Sequence, residues 1–140
     1  MKKINFLKQV LTGLFMILLI TGCTKPENIL TDGIWTFEDL THDSEDEFTS
    51  SMLTLGKAVL TDATLEFQES GDYIIDSPLT DNPSIETWEL IEDEQLIMNA
   101  GDDTSTNTII VLNKTMLQYS ETGVDMSRNI YTVITTWVRE

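Results

Sequence analysis

The chain is short of most of the side chains that carry chemistry. Its 140 residues include one cysteine, Cys23, and one histidine, His42. A single thiol makes no intrachain disulfide. One imidazole cannot build a multi-histidine metal centre, and any histidine-activated nucleophile would have to use His42. No glycine-rich phosphate loop is present, because the stretch GDDTSTN from Gly101 to Asn107 lacks the lysine and the spacing of a P-loop. Basic residues are scarce too: 8 Lys+Arg stand against 24 Asp+Glu, a formal charge of −16. Such a surface repels nucleic acid and anionic headgroups, so no nucleic-acid partner is expected. Long apolar runs are also missing. The longest, Val10 to Ile20, has about 11 residues, where a membrane-crossing helix needs roughly 20.

Carboxylates are plentiful, in clusters at Asp43, Glu45, Asp46 and Glu47 and at Asp102 and Asp103. Neither cluster has the glycine and distal glutamate spacing of an EF-hand loop, so both read as solvated acidic loops and no metal site is assigned. Hydrolysis by paired carboxylates needs two groups held across a cleft, which so acidic a sequence neither supports nor excludes. The expectation is a non-enzymatic protein with no catalytic residue and no cofactor.

The amino-terminal region is more specific. Lys2, Lys3 and Lys8 precede the apolar run, whose length fits the ~7–15 residue core of a secretory signal. Ile20-Thr21-Gly22-Cys23 follows, a branched apolar residue, two small residues and the cysteine, and resembles the lipobox of bacterial lipoproteins. The resemblance implies that the Cys23 thiol receives a diacylglycerol, that the chain is cut before it, and that the new amino group is acylated. A thiolate is the best alkylation nucleophile among side chains, and two or three acyl chains give the multiple signals that stable anchoring needs. Three of the eight basic residues and none of the acids precede Cys23, so five bases face 24 acids in a mature chain of 118 residues with a formal charge of −19. The expected organisation is a signal peptide over 1–22, a lipidated tether over 23–30 and one domain over 31–140. Thr24 rather than an aspartate follows the cysteine, which points to the outer membrane and leaves its face open.

Beyond the tether, apolar residues recur with a period of two and turn signals fall at short intervals, the pattern of an antiparallel meander. Eight strands are predicted: Gly33–Leu40, Ala63–Gln68, Tyr73–Asp76, Ile85–Ile91, Leu96–Met98, Thr108–Asn113, Thr115–Ser120 and Asn129–Val138. Trp35 and Phe37 share one face of the first. In the last, Tyr131, Val133, Thr135 and Trp137 share one face, with Ile130, Thr132, Ile134, Thr136 and Val138 on the other. Polar loops are expected at Pro78–Pro83 and at Gly101–Asn107, and a tight turn at Glu69–Asp72. Ser44 to Gly56 breaks the alternation. Ser44 and Glu47 have capping-box spacing, and Phe48, Met52, Leu55 and Val59 recur at helical intervals, which predicts a short amphipathic helix. Strands in sequence order favour closure into an eight-stranded, all-β up-and-down antiparallel barrel, because closure removes both edges. A β-sandwich is the alternative.

Several stretches carry a further resemblance. Gly33-Ile34-Trp35 resembles the Gly-x-Trp signature of lipocalins, and TLEFQESGDYII (64–75), ETWELIEDEQLIM (86–98) and TIIVLNKTMLQY (108–119) are similar to the lipocalin-like domain of small lipoproteins from Gram-negative bacteria. The resemblance implies a barrel that binds a small hydrophobic or amphiphilic ligand, or that serves an envelope protein partner; a monomer is expected. It also implies an arginine packed on Trp35, either Arg128 or Arg139, and a large loop after the first strand covering the open end. On this reading Trp35, Phe37, Phe67, Tyr73 and Trp88 are candidate ligand-binding residues, and Phe48 and Met52 turn towards the cavity from a lid. The alternative is a structural or interaction lipoprotein whose barrel is filled and whose acidic loops contact an envelope partner.

Overall fold

The computed structural model describes residues 24–140. The signal-peptide segment and Cys23, with the lipidation expected there, lie outside the described residues.

Eight strands close into one antiparallel barrel in strict chain order: β1 (Ile34–His42), β2 (Thr64–Phe67), β3 (Asp72–Asp76), β4 (Ser84–Ile91), β5 (Gln95–Ala100), β6 (Asp103–Leu112), β7 (Met116–Val124) and β8 (Ile130–Val138). β1 pairs with β8 to complete the ring, Phe37 lying opposite Trp137. The sandwich alternative is thereby excluded. Alternation decides which side chains enter: Trp35 and Phe37 on β1, Leu65 and Phe67 on β2, Leu117 and Tyr119 on β7, and Thr135 and Trp137 on β8 are all buried. Strand register slips between Phe37 and Asp39 on β1 and between Ile109 and Val111 on β6. Such bulges bend a strand and help a sheet curl on itself.

The segment expected as a tether is in part folded. Pro26–Thr31 forms a helix, α1, opened by a proline in its first turn, where the missing N–H costs nothing. Regular structure therefore extends back to Pro26, ahead of the expected start at Thr31. Leu30 is fully buried, and Trp35 Nε1 donates to its carbonyl at 3.0 Å. One apolar side chain with a floor to cover outweighed the lack of periodicity in so short a stretch.

Two further boundaries differ from expectation. The polar stretch 101–107 is a loop only at Gly101 and Asp102, and strand β6 starts at Asp103. Its threonines suit a pleated backbone, and Asn107, almost fully buried, uses its amide to donate to Leu96 O at 3.2 Å and to Ser105 Oγ at 2.9 Å. The second helix, α2, spans Glu47–Leu60 rather than 44–56. Asp46 is its cap, accepting from Thr49 N at 2.8 Å, and these bonds hold the Asp46 carboxyl below its ordinary range. Ser44 instead accepts from Asp46 N at 3.3 Å. The helix passes through Gly56, whose propensity cost of about 1 kcal/mol is met by a last turn that contacts the barrel: Lys57 pairs with Asp39 on β1, and Ser77 donates to Val59 O at 2.6 Å. No helix among the described residues is long and apolar enough to cross a membrane.

Candidate functional site

The antiparallel order gives the barrel two unlike ends. At one end lie α1, the β2–β3, β4–β5 and β6–β7 turns, and the chain terminus after β8; at the other lie α2 and the β3–β4, β5–β6 and β7–β8 connections.

The first end is shut. Trp35 is inaccessible, and the guanidinium carbon of Arg139 sits 4.3 Å from its ring centroid. Of the two arginines open to that role, Arg139 fills it. Its Nε donates to Lys114 O at 2.9 Å, and one terminal nitrogen donates to Ile29 O at 3.2 Å and to Asp32 O. The cation thus ties α1, the β6–β7 turn and the ring face together. Gly33, at φ +112°, turns the chain between α1 and β1 in a region closed to most L residues, and a Cβ there would lie 3.6 Å from Arg139 Cδ. Phe67, near the β2–β3 turn at the same end, lies edge-on to Trp88 at 5.2 Å and tilted against Tyr73 at 6.3 Å.

The second end opens into the barrel. A cavity of about 570 Å³ runs between the strands, walled by Leu40, Leu60, Ile75, Met98 and Val133 and floored by Trp137. Its polar lining comes from Tyr73, Asn107, Tyr119 and Thr135 inside and from Asp103 and Glu121 near the mouth. Tyr119 Oη accepts from Trp137 Nε1 at 3.2 Å. Burial pushes the Tyr119 hydroxyl up to about 12, opposed by that bond and assisted by the Glu121 charge. Tyr73 is raised by burial and by the Glu86 carboxylate, and partial desolvation raises Glu121 itself. Beside the mouth, the ring of Tyr131 lies over Gly123 so closely that a methyl group there would collide with it.

Of the residues singled out from sequence, Tyr73 lines this cavity. Trp35, Phe37 and Phe67 are packed core, with Phe37 edge-on to Trp137 at 5.5 Å. Trp88 is half-buried, its N–H donated to Gln68 O at 3.1 Å, and it borders a separate groove of about 460 Å³ between α1 and the β2–β3 turn. Phe48 and Met52 do not face the cavity. They are 60% and 53% exposed, and the buried residue of α2 is Thr49. The amphipathic stripe was legible, but its apolar face points to solvent, and only Leu60 at the end of α2 reaches the interior. Residues missed at the site, among them Tyr119, Glu121, Val133 and Thr135, stand on the inward phase of β7 and β8. Alternation alone could have found that phase. How far from the floor the filled layer stops is set by strand tilt and stagger, which alternation does not report.

His42, at the open end of β1, borders a small groove with Thr41, Asp43, Thr132 and Ile134, and its Nδ1 is buried without a hydrogen-bond partner. It does not line the interior cavity. Among the described residues no three His, Cys, Asp or Glu side chains come together to hold a metal ion.

No protein-family model matches this sequence, and no curated protein matches it. Among solved structures the chain is similar to bovine odorant-binding protein complexed with its natural ligand, at 13% identity and a TM-score of 0.52, covering 77% of this chain and 70% of that one. It is similar also to the complex of bovine odorant-binding protein with a selenium-containing odorant, at 12% identity and a TM-score of 0.52, covering 81% and 72%. At such identities the likeness speaks for the fold, a lipocalin-like closed barrel of eight strands with a helix after the first.

Proposed function

We propose that this protein is a lipid-anchored, non-catalytic binding barrel of the cell envelope that takes a small hydrophobic or amphiphilic molecule into its open-ended interior. The observation that carries the reading is the cavity of about 570 Å³, within the roughly 300–1,000 Å³ typical of ligand pockets and, like them, combining apolar walls with a few polar groups. Shared architecture with a barrel solved around its natural ligand supports it. The filled-barrel alternative sits poorly with so much interior space. An anchor on Cys23, placement in the outer membrane and a neighbouring envelope partner belong to the same reading, supported by the lipobox resemblance of Ile20–Cys23.

Native mass spectrometry of the full chain taken gently from cell extract tests the ligand claim. A co-purified small molecule, released on unfolding, is expected. A bare polypeptide that also fails to take up an added apolar probe would overturn it. For the anchor, radioactive palmitate should label the wild type and spare Cys23→Ser, which should also stay uncleaved; labelling that persists in the variant removes the lipidation claim.

A further inference from the structure

The cavity's polar groups are unbalanced in a way that bears on what it holds. Its hydrogen-bond donors are largely engaged within the protein: Trp137 Nε1 is given to Tyr119, the Asn107 amide nitrogen to Leu96 O and Ser105, and the Tyr73 hydroxyl reaches Asn99 O at 3.5 Å. The amide oxygen of Asn107 and the carboxylates of Glu121 and Asp103 are acceptors that these bonds leave available. Hydroxyls can face either way, but fixed charges cannot. Both charged side chains that line the cavity are acidic, and no lysine, arginine or histidine is among the lining residues. Arg139 and Lys114 are committed to the opposite end, Lys57 is paired with Asp39 outside the barrel, and Arg128 lies in the β7–β8 turn without lining the interior.

Resting on the ligand reading above, we infer that the cavity selects amphiphiles with a cationic, hydrogen-bond-donating head, such as an alkylammonium, over those with an anionic head. The apolar tail lies against Leu40, Ile75 and Val133, and the head meets Glu121 and Asp103 at the mouth. A carboxylate ligand would bring a further negative charge beside the partly buried Glu121 and the exposed Asp103, with no lining cation to receive it, and charge mismatch of that kind discriminates between partners. A neutral alcohol falls between the two.

Three chain-matched probes separate this inference from the ligand reading: octylammonium, octan-1-ol and octanoate, measured at neutral pH by equilibrium dialysis. The full chain is used in zwitterionic nanodiscs, with empty nanodiscs correcting for partition into lipid. Octylammonium should bind at least about tenfold more tightly than octanoate, with octanol between. In Glu121→Gln with Asp103→Asn that gap should shrink at least about threefold while octanol affinity holds, which also reports an intact cavity. If octanol binds and the two ions bind equally, or octanoate binds better, the head-group inference falls and the ligand reading stands. If the gap survives the double variant unchanged, selection comes from the overall negative charge, and the assignment to these two carboxylates falls. If none of the three binds, both readings fall together.

Discussion

The two ends of this barrel are made from the same eight strands and solve opposite problems. At the closed end, Leu30, Trp35, Leu65 and Leu117 are each at 0% exposure, and one arginine ties the terminal segments across the tryptophan face. At the open end, Leu79, Val124, Met126 and Ile130 are 64–77% exposed, and the helix α2 turns Phe48, Met52 and Leu55 to solvent. Tight burial of apolar side chains is concentrated at one end, and the other stays unfilled. A barrel packed to the same density along its whole length would gain dispersion contacts and lose its interior.

Substitutions at the floor should break that contrast most severely. Trp35→Ala removes the ring under Arg139 and the donor to Leu30 O, and should cost about 3–5 kcal/mol in denaturant unfolding, the range for large aromatic truncations in cores. Leu30→Ala should cost about 2–4 kcal/mol, and is more telling. If α1 were part of a loose tether, the loss would be near zero. Arg139→Gln keeps much of the stem and loses the cation over the ring, and should cost about 2 kcal/mol, the scale of a charged hydrogen bond with a cation–π contact. Arg128→Gln, at the open end, should change stability by less than about 0.5 kcal/mol. Equal effects from the two arginines would erase the difference between the ends.

The floor was the more readable end from sequence, and the reason is physical. Gly33-Ile34-Trp35 combines a backbone demand with a ring that must be buried, and an arginine after the last strand is brought to it by closure of the ring. Period-two alternation carried the strands because each has one inward face. It failed at 101–107, where the inward face is polar: Ser105 and Asn107 point towards a cavity rather than a core, and so the segment looked like a loop. α2 failed in another way. Its stripe of Phe48, Met52, Leu55 and Val59 satisfied every rule for an inward face, yet a single helix that buries Thr49 in its first turn and ties its last turn to the barrel carries no rule in sequence for which side meets it. Cavity residues were the least readable, because emptiness belongs to the arrangement of eight strands and to no one of them.

A smaller effect is expected from the exposed stripe. Phe48→Ser with Met52→Ser should alter global stability by no more than about 1 kcal/mol, two exposed substitutions of about 0.5 kcal/mol each. A loss comparable to that of Leu30→Ala would mean that the stripe is packed in solution. Amide exchange should find residues 47–60 opening far more readily than β1, β7 and β8, because local opening follows sparse burial.

Acid should then separate the two ends by a still smaller margin. Asp39, through its hydrogen bond with Lys57, and Asp46, through its cap bonds to Thr49, both hold their carboxyl groups below the ordinary value of 3.8 in the folded chain. A carboxyl depressed by folding contributes stability in full above its unfolded pKa, and that contribution is lost as pH falls through the folded value. Both groups fasten α2, whereas Arg139 at the floor is held mainly by three backbone carbonyls and a ring face, which do not titrate, and only at 3.8 Å by the exposed Asp32 carboxylate. Lowering pH from about 5 to below 3 should therefore speed amide exchange in α2 relative to β1 and β8, after correction for intrinsic rates. Because Asp39 and Asp46 are partly open to solvent, the change should be modest and weaker still in high salt. An α2 that keeps its protection across that range would show that its hold on the barrel is apolar, and would return Leu60 and Val59 to the centre of the account.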